Sequence, residues 1–183
     1  SVLEYAQEHS IQDVLLHARW RIYTEGLPDG DRRTLLSDGK TPSRSTEQSE
    51  EVFSRALMQT VRELESMGFR IALLKDVPLF RKSVPEVAMQ AVSQGKDPND
   101  FGRTVEEQRQ LSRRINSLID SGLGGTEAIP VDPLPLLLNP EGDRFALVRD
   151  EKILYSDRHH LAAEGARQLR SLLAPLFLEE PGQ

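Results

Sequence analysis

Apolar positions along the chain switch repeatedly between a helical and an extended rhythm. VLEYAQEH, residues 2–9, reads as the end of a helix. QDVLLHARW, residues 12–20, is a short apolar run after polar residues, the pattern of a buried parallel strand. From 24 to 45 the segment TEGLPDGDRRTLLSDGKTPSRS is dense in Gly, Pro, Ser and Asp and predicts a long surface loop. A helix is predicted to begin near Ser45–Thr46, because Val52, Phe53, Ala56, Leu57, Val61, Leu64 and Met67 recur at helical spacing. Gly68 is placed to cap it. FRIALLKDVP, residues 69–78, is the next strand, stopped by Pro78.

A short helix is expected around Val84–Ser93, followed by the loop GKDPNDFG. Thr104 and Glu107 form a T-x-x-E capping box, and Val105, Leu111, Ile115, Leu118 and Ile119 give the following helix an apolar face. Gly122, Gly124 and Gly125 end it, and TEAIPVDP, 126–133, contains a short strand. RFALVRDEKILY, 144–155, reads as two extended pieces around Asp150–Glu151. A last helix carries Leu161, Ala166, Leu169, Leu172 and Leu173 on one side and is expected to end at Pro175, before a tail at 179–183. This order predicts an α/β fold with a mostly parallel sheet. The pattern starts in mid-unit, with a helix whose preceding strand is absent, so an N-terminally truncated sheet is expected.

Composition narrows the choices. The 183 residues suffice for one domain with a core, and 1–183 is read as a single, partial domain. A net charge of −6 with no Lys/Arg-rich block argues against nucleic acid. No apolar run approaches the roughly 20 residues of a membrane span. The absence of Cys excludes disulfides and thiolate metal sites. Four His without a carboxylate cluster at ligand spacing give the expectation of no metal.

The chemistry concentrates in ILYSDRHHLAAEGARQL, residues 153–169. In D-x-x-H, Asp157 can orient the imidazole of His160 if residues 157–160 form a tight turn, leaving the other ring nitrogen for a nucleophile. The alternative is that Asp157 only caps the following helix. Adjacent His159 must point elsewhere and is expected to face solvent. His9 is read as a surface residue and His17 as a structural His in a strand. Trp20, the only Trp, falls at the predicted C-terminal end of a strand, where ligands bind in open α/β sheets. It either lines a site or, with Tyr23, covers the sheet end as a core aromatic. No Ser has the strand–turn–helix setting of a nucleophile elbow, and neither Ser37 in LLSDGK nor Ser1 suits that role.

YSDRHHLAAEGA resembles the last block of the SGNH hydrolase-like domains fused to acyltransferase-3 membrane proteins, Y-x-D-x-x-H-L-S-x-x-G-A. Tyr155, Asp157, His160, Leu161, Gly165 and Ala166 match it, and Ala162 stands where Ser is usual. VLLHARWRIY (14–23) resembles the family's A-R-W-x-x-Y strand, and LLKDVP (73–78) its next strand. The resemblance implies a flavodoxin-like three-layer α/β/α domain of SGNH hydrolase type. It makes His160 the base and Asp157 the orienter of a Ser–His–Asp triad. The family's G-D-S nucleophile block is absent from residues 1–183, so the serine is expected upstream. ARW replaces the Gly-x-Asn-Asp block of the wider family, leaving Arg19 and Trp20 as candidate substrate or oxyanion residues.

The implied function is carbohydrate O-acyl transfer, most often acetyl, to bacterial surface glycans. No cofactor would be held by this chain, and an acyl donor such as acetyl-CoA would be used indirectly. The implied partners are a glycan and an N-terminal acyltransferase membrane domain, at the periplasmic or exterior face of the inner membrane. A non-catalytic glycan-binding or docking module and a secreted esterase are the competing readings.

Overall fold

The structure, a computed structural model, describes residues 2–26, 32–39 and 45–177. The chain divides into two compact units. The first comprises residues 1–76 and 112–131, the second 77–111 and 132–183.

In the first unit three parallel strands form a sheet in the order β1-β2-β3: β1 (Asp13–His17), β2 (Arg70–Leu74) and β3 (Ile129–Val131). Val14 pairs with Ile71 and Leu16 with Leu73, while Leu73 also pairs with Pro130. Four of the five residues of β2 are buried, as a strand covered on both faces requires. Helix α1 (Val2–Glu8) precedes β1, and α2 (Trp20–Glu25) follows it. Helix α3 (Thr46–Ser66) starts at a complete capping box in which Ser45 and Gln48 exchange bonds. It buries Phe53, Leu57, Val61 and Leu64 against Ile71, Leu73, Ile115 and Ile119. Each such side chain contributes about 1.5–3 kcal/mol by leaving water. Gly68, at φ 88°, makes the left-handed turn that leads into β2.

The strand predicted over 12–20 stops at His17, and Trp20 opens a helix instead. The loop predicted over 24–45 is anchored in part: Leu35 is buried, and the Leu36 N–H donates to the Tyr23 carbonyl (3.1 Å) and to Ser49 Oγ (2.8 Å). Residues 27–31 and 40–44 of that loop, Ser1 and the 179–183 tail lie outside the described residues.

The second unit contains α4 (Val84–Ser93), a 3-10 turn at Pro98–Phe101, and the first turns of α5 (Val105–Gly122), whose later turns belong to the first unit. The Thr104–Glu107 capping box is present, with bonds of 3.1 and 3.2 Å. A 3-10 turn at Leu134–Leu137 and the hairpin of β4 (Val148–Arg149) and β5 (Lys152–Ile153) follow. Asp150 and Glu151 join the hairpin with φ of 49° and 61°, both left-handed, the twist that a two-residue hairpin turn needs. Asn99 Oδ1 accepts from the N–H groups of Leu147 (2.8 Å) and Val148 (3.1 Å), tying the hairpin to the Pro98–Phe101 turn. Leu137, Phe145, Leu147, Leu154 and Tyr155 form a fully buried interior.

The last helix is two: α6 (Ala163–Gln168) and α7 (Arg170–Phe177). Leu169 sits between them at φ −82°, ψ −4°, its N–H tightened onto Ala166 O. Pro175 lies inside α7 rather than ending it. Leu161 precedes the helix, because an antiparallel bridge from Tyr155 to Leu161 closes the preceding turn first. Among the described residues no helix is long and apolar enough to cross a membrane.

Candidate active site

The turn at residues 155–161 is built locally. Its ends are joined by the Tyr155–Leu161 bridge and by Ser156 N–H donating to His160 O at 2.9 Å. Asp157 Oδ1 accepts the N–H groups of His159 (2.7 Å) and His160 (2.8 Å), folding the chain back over the carboxylate. The second oxygen is then left for the His160 ring, whose Nδ1 lies 2.6 Å from Oδ2. Asp157 therefore does not cap the helix: α6 is capped by Ala162, five residues on, with no side-chain bond.

The base of this turn is closely packed. Ala162 N–H donates to Leu154 O at 2.9 Å, and a Cβ at Gly165 would stand 2.1 Å from that same carbonyl. Only glycine lets α6 approach so near. Tyr155 is fully buried beside Phe80, ring edge to ring face at 4.8 Å, and burial pushes its phenol well above the ordinary range. Two further bonds hold the turn from outside: Phe80 N–H to Arg158 O (2.8 Å) and Val84 N–H to Asp157 O (3.1 Å).

Burial alone would push the Asp157 carboxyl up. The bonds from the His160 ring and from the backbone of His160 and His159 outweigh it together, and the carboxyl titrates well below the usual carboxylate range. It is thus a fixed anion beside Nδ1. A carboxylate there favours the tautomer with the proton on Nδ1, which leaves Nε2 as the basic nitrogen. The His160 side chain is 63% exposed, so a hydroxyl can reach it.

His159 departs from expectation. Its side chain is only 11% exposed, its Nδ1 lies 3.4 Å from Asp157 Oδ1, and its ring centroid is 3.9 Å from that of His160. The turn rotates it inward while His160 faces out. Asp157, His159 and His160 therefore bring three possible ligand atoms within 4.8 Å of one another, a grouping that the sequence spacing had not suggested. However, Asp157 Oδ2 and His160 Nδ1 stand 2.6 Å apart in a hydrogen bond, closer than the roughly 3.3 Å between two ligands of one tetrahedral zinc.

In the first unit, the ends of β1 and β2 hold the other sequence candidates. Trp20 donates its indole N–H to Leu74 O (2.8 Å) and its backbone N–H to Asp76 Oδ1 (3.0 Å), while its ring and that of Phe53 pair in a T-shaped arrangement. Both N–H groups of Trp20 are thus committed within the protein. Arg19 is the residue preceding α2. Asp76, which sequence reasoning passed over, accepts from Trp20 N–H and from Arg21 N–H (3.2 Å), and burial pushes its carboxyl up. The signal available was an Asp just past a strand end, in LLKDVP. His17 Nδ1 lies 3.4 Å from Leu74 O, and His9 is an exposed residue stacked on Tyr5.

Comparison with known proteins now fixes the lineage. A family model described as SGNH domain (fused to AT3 domains) matches residues 1–175. The chain belongs to this family. No curated protein matches it. Among solved structures it resembles a Salmonella ser. Paratyphi A lipopolysaccharide acetyltransferase periplasmic domain, with TM-score 0.61 and 17% identity over 94% of this chain. It also resembles a putative platelet activating factor from Streptococcus pneumonia, with TM-score 0.50 and 15% identity over 97% of this chain. The chain spans 59% of the first of these and 66% of the second. The SGNH domain reading and the expected α/β fold with a parallel sheet are both borne out.

Proposed function

We propose that residues 1–183 are the C-terminal part of one SGNH-type acyltransferase/esterase domain that moves acyl groups, acetyl above all, onto hydroxyls of a bacterial surface glycan. The observation that carries this is the 2.6 Å contact between His160 Nδ1 and the Asp157 carboxylate, on a ring that remains open to solvent. Family membership and the acetyltransferase relative support the acyl chemistry. Asp157 orients and His160 accepts protons at Nε2. By resemblance to the family, the nucleophile is the serine of a G-D-S block, which residues 1–183 do not contain.

The steps balance as a two-stage transfer. The serine hydroxyl gives its proton to Nε2 and attacks the acyl carbonyl. The donor's leaving group departs with that proton, and an acyl-serine remains. A glycan hydroxyl then gives its proton to Nε2 and attacks the acyl-serine, and the serine leaves with the proton restored. A fused acyltransferase membrane domain supplies the acyl group, drawing indirectly on a donor such as acetyl-CoA, and the chemistry asks for no cofactor in this chain. The domain faces the periplasm or cell exterior, with Arg19 as a substrate-contacting candidate.

The test is acyl transfer by the longer protein that includes the serine, carrying His160→Ala. Transfer is expected to fall by 10²-fold or more with thermal stability kept, as removal of a general base requires. Undiminished transfer would refute the proposal, and an equal loss in His159→Ala at unchanged stability would reassign the base to the inner ring.

A further inference from the structure

The second unit contains a half-open pocket of about 470 Å³, within the size range of small-ligand sites. Its charge is at odds with the rest of the molecule. Arg81, Lys82, Arg103 and Arg144 line it, against the single carboxylate of Glu107. Three net positive charges thus gather at one pocket of a chain whose net charge is −6.

Part of that charge is engaged. Arg103 Nε donates to Leu79 O and Arg144 to Gly102 O at 3.0 Å, which fixes both guanidinium groups in place. Asp143 lies 3.7 Å from Arg144, and Glu107 3.8 Å from Arg81. Arg81 is 84% exposed nonetheless, and Lys82 is exposed as well.

The remaining lining selects among anions. Phe101 is nearly half exposed, and Lys96 Nζ sits 5.8 Å from its ring centroid. Gln90 and Gln94, exposed and one helical turn apart, line the pocket beside it. An open aromatic ring, paired amides and guanidinium groups suit a ligand with an apolar face, hydroxyls and an acid. An alkyl anion would cover those amides without giving them partners, which is unfavourable. Guanidinium groups match carboxylate and phosphate geometry alike.

We infer that this pocket binds an acidic saccharide unit, its carboxylate or phosphate held by Arg81 and Lys82 and its ring laid against Phe101. The inference rests on the reading that the protein acts on a glycan, and it adds that the glycan is acidic and where its charge is held. The pocket wall is also tied to the turn that bears the dyad: Phe80 and Val84 line the pocket, and their N–H groups bond the carbonyls of Arg158 and Asp157.

Calorimetric titration of the protein with a uronic-acid trisaccharide, a hexose phosphate and a neutral trisaccharide tests this. At least one acidic probe is expected to bind about tenfold or more tighter than the neutral one, with the preference shrinking as salt rises. The tighter acidic probe identifies the acid as carboxylate or phosphate. Arg81→Gln with Lys82→Gln, two exposed positions that the fold does not need, is expected to erase the preference. Equal binding of neutral and acidic probes, an undiminished preference in the double variant, or tighter binding of octanoate would each overturn the inference. Acyl-transfer assays on the longer protein that includes the serine separate it from the functional reading: acidic binding without transfer leaves the pocket and removes the function, and transfer to neutral glycan without acidic preference does the reverse.

Discussion

Asp157 and Asp76 receive the same local treatment and respond in opposite ways. Each carboxylate accepts two consecutive backbone N–H groups, from His159 and His160 in one case and from Trp20 and Arg21 in the other. Yet burial pushes Asp76 up, while Asp157 is held down. Two backbone bonds do not decide the protonation of a carboxyl; burial and the third partner do. Asp157 has a His ring on its free oxygen and a partly exposed position, whereas at Asp76 burial outweighs the bonds from Arg21 and Trp20 and the nearby charges of His17 and Arg19. The first is suited to orienting a base, the second to pinning the start of α2.

The largest expected effect breaks this pairing directly. Asp157→Asn keeps a side-chain oxygen for the two N–H groups but removes the anion beside Nδ1. Acyl transfer by the longer protein that includes the serine is expected to fall by about 10²–10⁴-fold. Asp76→Asn, the same change at the other carboxyl, is expected to leave transfer within a few-fold. Steady-state kinetics on both variants decides, and similar losses would mean that the two carboxylates are not divided by role.

A second, smaller effect sharpens the contrast by loosening the base of one turn only. Gly165→Ala forces a Cβ toward Leu154 O, the acceptor that holds Ala162 at the start of α6. Overpacking of this kind costs about 1–3 kcal/mol. Chemical denaturation should show that loss, and amide exchange should rise at His160 and Ala162 while the N–H groups of Trp20 and Arg21 stay protected. Unchanged stability would mean that α6 can move away freely.

This contrast also explains what was legible in the sequence. The Asp157 turn spans four residues, so D-x-x-H could be read as either an orienting pair or a helix cap, and the family resemblance favoured the pair that the bond shows. The helix at Val84–Ser93, the T-x-x-E cap and the hairpin at Asp150–Glu151 were readable for the same reason, since each is written within a few positions. Asp76 acts across more than fifty residues, on a helix whose own flank, His17–Arg19, offers no capping side chain. Without that distant acceptor in view, Trp20 read as the end of a strand. His159 was misplaced because neighbour alternation holds for extended chain, whereas a tight turn sends one ring inward and the next outward. Nor did sequence order reveal the basic pocket, whose Arg81, Arg103 and Arg144 are far apart along the chain.

The smallest effect is a pH dependence that the two carboxyls should show with opposite sign. Asp76 has a folded pKa above its unfolded value of about 3.9. Above that unfolded value the denatured chain has released its proton while the folded chain still holds it. Stability therefore falls as pH rises through this window, and is fully present below it. Asp157 behaves in reverse, because its folded pKa lies below the unfolded one: its contribution is present above about pH 3.9 and is lost as pH falls through the depressed value. Asn cannot titrate at either site. The melting temperature of Asp76→Asn relative to wild type should rise with pH from about 4 upward, and that of Asp157→Asn should fall with pH from about 2 to 4. Thermal melts of the variants and wild type across this pH range check the sign of each difference curve. Two difference curves of the same sign would show that burial and the His ring do not set these carboxyls apart.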